Sequence, residues 1–273
     1  RSRGRMCYAL PNLQPVAVDG QLAGQESNLP ASEQMRGSWA VSFGMPSKSP
    51  EVWRADVEQT RTRLPKGKLL SVSVVGTVQD GWTIEQLADD YAQCAVWAVE
   101  SGADCVETNF SCPNVSTCDG QLYQQPNDAA VVAQRTRAAI GPHVPFIVKI
   151  GRIADEPAAE ALIDALAPHV TALAMTNSIA TTVSDDSGHK LFDGQRRGIC
   201  GKAIRQASVA QVRMLRRIIQ RKELPVELIG VGGAMCTADV REYLGAGASA
   251  VQLATAAMTN PSVALDIRRE LAG

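Results

Sequence analysis

From about residue 50 onward, runs with the composition of buried strands alternate with runs of helical period, and no other feature restricts the fold as strongly. The strand candidates are Leu69–Gly76, Asp104–Phe110, Pro145–Ile150, Thr171–Thr176, Val226–Val231 and Ser249–Ala254, each followed by a helical pattern. A strand that is followed by a covering helix rejoins its neighbour in parallel, so this order predicts βαβ units and one parallel sheet. The clearest helix starts where Thr83 and Gln86 have capping-box spacing; Ile84, Leu87, Tyr91, Cys94 and Ala98 then recur on one face up to Gly102. Pro157 suits the first turn of another helix, whose apolar stripe is Leu162, Ile163 and Leu166. The longest loop region is Ala180–Lys202, rich in Asp, Gly and Arg, which reads as a rim or lid over a site or as solvated surface.

Six strand–helix units are two fewer than a (β/α)8 TIM barrel needs, although 273 residues with 45% hydrophobic content suit one such barrel of about 250 residues. Arg1 to Gln34, rich in Pro, Gly, Gln and Asn, supplies no βα pair. The expectation is therefore a single domain over residues 1–273, an α/β TIM barrel without its first two βα units, with an irregular segment over about residues 1–40.

A formal net charge of −1 without a basic run excludes a nucleic-acid footprint. No stretch reaches the roughly 18 apolar residues of a membrane span, and no charged-then-apolar signal opens the chain, so a cytoplasmic protein is expected. Seven cysteines without Cys-x-x-Cys spacing predict neither a disulfide framework nor a metal site. Cys7, Cys94, Cys105, Cys200 and Cys236 read as structural, and His143, His169 and His189, scattered through separate segments, receive no role.

Asn109-Phe110-Ser111-Cys112-Pro113-Asn114 places a thiol between two carboxamides directly after a strand. Proline ends the ladder and turns the thiol into the loop, while the amides present donors and acceptors suited to a flat, imide-like ring. Taken alone, this is equally an ordinary capped turn. Gly230-Val231-Gly232-Gly233-Ala234 and Gly247 to Thr255 both end strands in small residues before helices, a pattern that brings main-chain N–H groups close to a phosphate or serves only packing. Lys149 ends the run Phe146-Ile147-Val148, where a lysine points to a site or reaches solvent.

Taken together and in order, Glu107 to Asn114, Val148-Lys149-Ile150, Thr176-Asn177-Ser178-Ile179 and the two phosphate-type segments resemble the FMN-dependent dihydroorotate dehydrogenases. The resemblance runs over about residues 36–260 and includes the substrate-side loop Ser42-Phe43-Gly44-Met45-Pro46. It implies that two βα units precede the point where this chain starts, making the chain N-terminally truncated. It also implies Cys112 as the base of the soluble, cysteine-using classes, and Asn109, Asn114, Asn177 and Ser178, with Phe43, Gly44 and Met45, as the substrate set. Lys149 matches the flavin N1–C2=O contact, Gly198 and Gly201 a Gly-rich flavin contact, and Gly232, Gly233, Ala234, Ala254 and Thr255 the FMN phosphate cradle.

Three departures stand out. Val41 occupies the place of a substrate-contacting asparagine, Ala254 replaces a common glycine, and Cys118 follows Cys112 where related dihydropyrimidine dehydrogenases carry their working cysteine. The implied activity is oxidation of dihydroorotate in pyrimidine biosynthesis. The alternatives are a dihydropyrimidine dehydrogenase type of enzyme acting on uracil or thymine, and a flavin- or phosphate-binding barrel without turnover. A homodimer is expected, with an electron-transfer subunit as a further partner, and the acceptor is left open among fumarate, NAD through that subunit, and a quinone.

Overall fold

The computed structural model describes residues 1–5, 12–18, 20–111 and 121–273. Three short strands come first: β1 (Leu13–Pro15), β2 (Asn28–Pro30) and β3 (Ser38–Val41). The alternating part follows as α1 (Pro50–Arg63), β4 (Ser71–Val74), α2 (Ile84–Glu100), β5 (Cys105–Asn109), α3 (Pro126–Ile140), β6 (Phe146–Lys149), α4 (Glu156–Leu166) and β7 (Ala172–Met175). Two strands, β8 (Ile179–Ser184) and β9 (Arg197–Gly201), interrupt it before α5 (Arg205–Arg221), β10 (Glu227–Val231), α6 (Thr237–Gly245) and β11 (Ala250–Gln252). The chain closes with α7 (Thr255–Thr259) and α8 (Val263–Ala272).

All six strands expected from the alternation are present, and they form one parallel sheet in the order β11-β10-β7-β6-β5-β4. The register assigns its two faces. Val74, Val106, Val148, Leu173 and Leu228 point out to the helices, where they join two cores with Leu87, Cys94, Leu162, Val212 and Leu215 among others. Cys105, Ile147, Ala172, Ala174 and Val231 face inward as a small separate cluster, alongside Glu107, Lys149 and Gln252 on the same face. The architecture is TIM-barrel-like. Strands β4 and β11 are the two ends of this sheet and do not pair with each other; Leu69, beside β4, is 79% exposed.

Helix α2 begins as its spacing predicts. Gln86 N–H donates to Thr83 Oγ1 at 3.4 Å, and Thr83 N–H donates to Gln86 Oε1 at 2.9 Å, which satisfies two otherwise orphaned amides. It ends at Gly102, whose φ of +100° few other residues adopt at low cost. In α4 the side chain of Asp155 caps Ala158 N–H at 2.9 Å, and Leu162, Ile163 and Leu166 are buried as expected.

Two expectations are corrected. Ala180–Lys202 is not a long loop: β8 and β9 pair antiparallel within it, and with β3, β1 and β2 they form a five-stranded sheet in the order β1-β3-β9-β8-β2. The polar composition of residues 185–196 masked a β-branched run in which Ile179, Thr181 and Val183 alternate inward. Residues 1–40 are likewise not merely irregular, since Val16, Leu22, Leu29 and Ala40 share a core with Ile179, Val183, Phe192 and Ile199. Strands of three or four residues are too short to show a period, and their apolar partners lie more than 130 positions away. No helix of the described residues is long and apolar enough to cross a membrane.

Candidate active site

Because the six core strands are parallel, their C-terminal ends share one end of the sheet, where residues far apart in sequence meet. Lys149 closes β6, Asn177 follows β7, Gly232 to Ala234 follow β10, and Ala254 and Thr255 follow β11. All of these line one cavity, together with Cys200, Gly201, Ile204, Val231, Gln252 and Ala256. Every residue expected to hold the cofactor therefore lies on it except Gly198, which is buried in β9 opposite Val41. Cys200, read as structural, does line the cavity, and its thiol lies 4.0 Å from the carbonyl oxygen of Asn177.

The glycines of this wall answer to packing as well as to conformation. Gly232 and Gly233 have φ of +117° and +72°; a Cβ on Gly232 would lie 2.7 Å from Ser208 Oγ, and one on Gly233 would lie 2.5 Å from the carbonyl oxygen of Gly201. A Cβ on Gly201, with φ of +92°, would strike the carbonyl of Gly37. Absent side chains thus let the β10 loop settle against β9 and α5, the packing role that the sequence left open beside the phosphate role. The loop is also tied from outside. Tyr243 Oη donates to Gly232 O at 2.5 Å, and Asp239 accepts from Met235 N–H at 2.8 Å while pairing with Arg205. Burial pushes the Tyr243 hydroxyl's pKa up, keeping that donor protonated. Thr255 and Ala256 open α7, so their N–H groups have no acceptor earlier in the helix.

Among the described residues, Lys149 carries the one ammonium on the wall. Its Nζ lies 3.2 Å from Glu107 Oε1, and the Glu107 side chain is only 5% exposed. That carboxylate also accepts from Ser73 Oγ at 3.2 Å and from Gln252 Nε2 at 2.7 Å. Three donors offset the cost of burying the charge, and in return the acid fixes two side chains of the cavity wall. Glu107 and Gln252 were not singled out in the sequence. The available signal was periodicity: Glu107 lies two residues before Asn109 in a strand and so faces the same way.

The amides of Asn109 and Asn177 meet at the mouth. Asn177 Nδ2 donates to Asn109 Oδ1 at 3.3 Å and also to the carbonyl of Ser111, while Ser111 N–H donates to Asn109 Oδ1 at 3.0 Å. Asn109 Nδ2 is left with only a weak contact to Met45 Sδ at 3.5 Å. The weakly held amide donor of Asn109 and the amide oxygen of Asn177 are complementary to the –CO–NH– edge of a ring. Met45 and Gly44 both have left-handed φ, +54° and +64°, in the turn that brings residues 43–45 to this point. Ser178 faces a second, polar cavity that it shares with Ser111, Tyr123, Arg152 and Arg196, none of the last three of which sequence reasoning named. Cys112, Asn114 and Cys118 lie outside the described residues, as does Cys7.

Known proteins resemble this chain in sequence and in fold. The sequence profile described as dihydroorotate dehydrogenase matches residues 31–273. The chain is 30% identical over 229 residues to the dihydroorotate dehydrogenase of Dictyostelium discoideum, a match covering 82% of this chain and 61% of that protein. It is 31% identical over 177 residues to the dihydroorotate dehydrogenase B (NAD(+)) catalytic subunit of Oceanobacillus iheyensis, covering 62% of this chain and 53% of the relative. The chain thus spans between half and two thirds of the length of these relatives. Among solved structures, that of DHODH in complex with ferulenol from Eimeria tenella superposes with a TM-score of 0.75 at 17% identity, covering 98% of this chain and 71% of that one, a likeness of fold. A family profile that matches all but the first 30 residues, on a barrel-like sheet whose strand ends gather the expected motifs, places this chain in the dihydroorotate dehydrogenase family.

Proposed function

We propose that this chain, with FMN bound, oxidises dihydroorotate to orotate. The observation that carries the reading is the convergence of Asn109, Lys149 and Asn177 beside a cavity whose far wall is main chain of Gly232 to Ala234 and the start of α7. The donor set fits such a cofactor: main-chain N–H groups suit a phosphate, and the ammonium of Lys149 suits the electron-rich edge of a flavin ring. A flavin held by these residues would supply the two-electron acceptor for the hydride at C6 of the substrate.

The rest falls to the chain's own residues. Asn109 and Asn177 orient the ring through the amide donor of the first and the amide oxygen of the second, and Lys149, held by Glu107, places positive charge beside the edge of the ring that a flavin would present. Cys112 takes the C5 proton as thiolate, so a hydride from C6 and a proton from C5 leave adjacent carbons and a C=C bond forms between them. Both amides bind the main chain of Ser111, which holds the backbone just before Cys112. A positioned base of this kind contributes about 10²–10⁴-fold. Cys112→Ala is therefore expected to keep its flavin but lose anaerobic reduction by dihydroorotate, with Cys118→Ala as the matched control; reduction at the wild-type rate in Cys112→Ala would remove Cys112 from the mechanism.

Val41, with no polar group in its side chain, favours a second reading, a ring without a carboxylate such as dihydrouracil. Relatives named as NAD(+)-linked catalytic subunits support an electron-transfer partner for this chain. Residues 1–273 are read as one domain, because β1 to β3 complete the sheet that β8 and β9 begin.

A further inference from the structure

We propose that Glu107 is a positioning residue that acts on the cofactor through Lys149: its carboxylate balances the ammonium behind the cavity wall and so limits how strongly the site favours the reduced, negatively charged form of a flavin. The inference rests on the proposed reaction for the identity of the cofactor, and on the structure for the charge pair itself.

Glu107 shares the inner face of the sheet with Cys105, Ile147, Ala172, Ala174 and Val231, and its side chain is almost fully withdrawn from water. Gln252 reaches it from β11, four strand positions away along the sheet. On a flat sheet that separation is about 19 Å, beyond the reach of two side chains. The 2.7 Å bond between Gln252 Nε2 and Glu107 Oε2 therefore shows that the sheet curls around the acid. Lys149 and Gln252 both line the cavity at the strand ends, whereas Glu107, bonded to each of them, does not. The carboxylate thus stands behind the two side chains that face the cavity. Of the described residues on that lining, Lys149 alone is charged.

A lone ammonium in such a wall would hold an anion far more tightly than a neutral ring, because apolar surroundings strengthen Coulomb attraction. The more tightly a site holds the reduced cofactor relative to the oxidised one, the more firmly it keeps the electrons. An enzyme that passes those electrons on works better against a weaker field. Glu107 supplies the opposing charge, 3.2 Å from Lys149 Nζ, and the donors Ser73 and Gln252 keep it in place. The wall accordingly offers the positive end of an ion pair to the cavity instead of an uncompensated charge. A carboxylate that served only to anchor the lysine side chain would have no such electrical consequence, and this difference can be measured.

The test is the midpoint potential of FMN bound to the full chain, read by dye equilibration without substrate in the wild type, Glu107→Gln, Glu107→Asp, Lys149→Met and the double variant Lys149→Met/Glu107→Gln. Glutamine keeps an oxygen for Ser73 and Gln252 but removes the counter-charge. Reduced FMN should then bind about tenfold tighter relative to oxidised FMN, a rise of about 30 mV for a two-electron couple. Lys149→Met leaves the carboxylate unopposed and should lower the potential by a similar amount. The aspartate and double variants keep the charges balanced and should stay within about twofold of the wild-type ratio, about 10 mV. The proposal is overturned if Glu107→Gln leaves the potential unchanged or lowers it, or if the aspartate variant shifts as far as the glutamine variant. Should Lys149→Met not retain flavin, the two Glu107 variants decide the matter by themselves. Turnover separates this claim from the proposed reaction. Oxidation of dihydroorotate with a potential indifferent to Glu107 removes the inference alone, a responsive potential without that oxidation removes the reaction alone, and a chain that takes up no FMN overturns both.

Discussion

Removing the ammonium of Lys149 leaves the carboxylate of Glu107 on the inner face of the sheet with Ser73 and Gln252 as its remaining donors. The Lys149 and Glu107 side chains are 21% and 5% exposed, so the pair is shielded from water on the acid's side. Breaking a buried pair from one end costs about 3–5 kcal/mol, and the two surviving neutral donors place Lys149→Met near the lower figure, about 3 kcal/mol. For a chain of this size that corresponds to a fall of about 6–12 °C in Tm. Glu107→Gln should cost less, about 1 kcal/mol, because the ammonium of Lys149 can turn toward the open cavity while the new amide still bonds Ser73 or Gln252. The double variant removes both charges and should return to within about 1 kcal/mol of the wild type, a coupling of about 3 kcal/mol. Urea denaturation of the four apo-proteins at pH 7, fitted with a common slope, measures the cycle. If the double variant is as unstable as the sum of the singles, the ion pair does not set the stability of the inner face and Glu107 is not what holds Lys149.

Glycine replacements should separate conformation from contact. Gly188 and Gly201 both have left-handed φ, +82° and +92°, but a Cβ meets nothing within 4 Å at Gly188 and strikes Gly37 O at Gly201. Gly188→Ala should therefore cost about 1 kcal/mol, the conformational share, and Gly201→Ala about 3 kcal/mol with weakened flavin retention; equal melting temperatures would dismiss the close approach of β9 to Gly37. Alkali should destabilise the chain through two buried groups. Burial pushes the Cys94 thiol up to about 12 from an ordinary 9.0 and raises the Tyr243 hydroxyl above 10.0. Both groups ionise in the unfolded chain before they do in the folded one, so their stability is intact below pH 9 and declines as pH rises toward 12. Urea midpoints across that window should fall less steeply in Cys94→Ala, and a slope unchanged from the wild type would free Cys94 of this role.

The elements that sequence determined by itself are those whose signals lie within a few residues of one another. Thr83 and Gln86 cap α2 across three positions, its buried face repeats with the helical turn, and each of the six core strands is an apolar, β-rich run bounded by turn residues. The lining of the first cavity was legible for the same reason: its glycines, Lys149 and Asn177 sit at strand ends, and parallel strands carry such ends to one side whatever the details of packing. Tertiary structure alone decided the contacts between groups whose separation in the chain leaves no local trace. Strands β2 and β3 find their partners in β8 and β9, well over 100 residues on. Gln252 bonds Glu107 across 145 positions, and Arg152 and Arg196 share a cavity that brings together β6, β8 and the segment around Gly24. A period is a property of neighbouring residues, so it marks which face of an element is buried. What that face is buried against depends on closure of the whole chain, and for that reason the partners of Lys149, unlike Lys149 itself and the glycines, became visible only in the folded molecule.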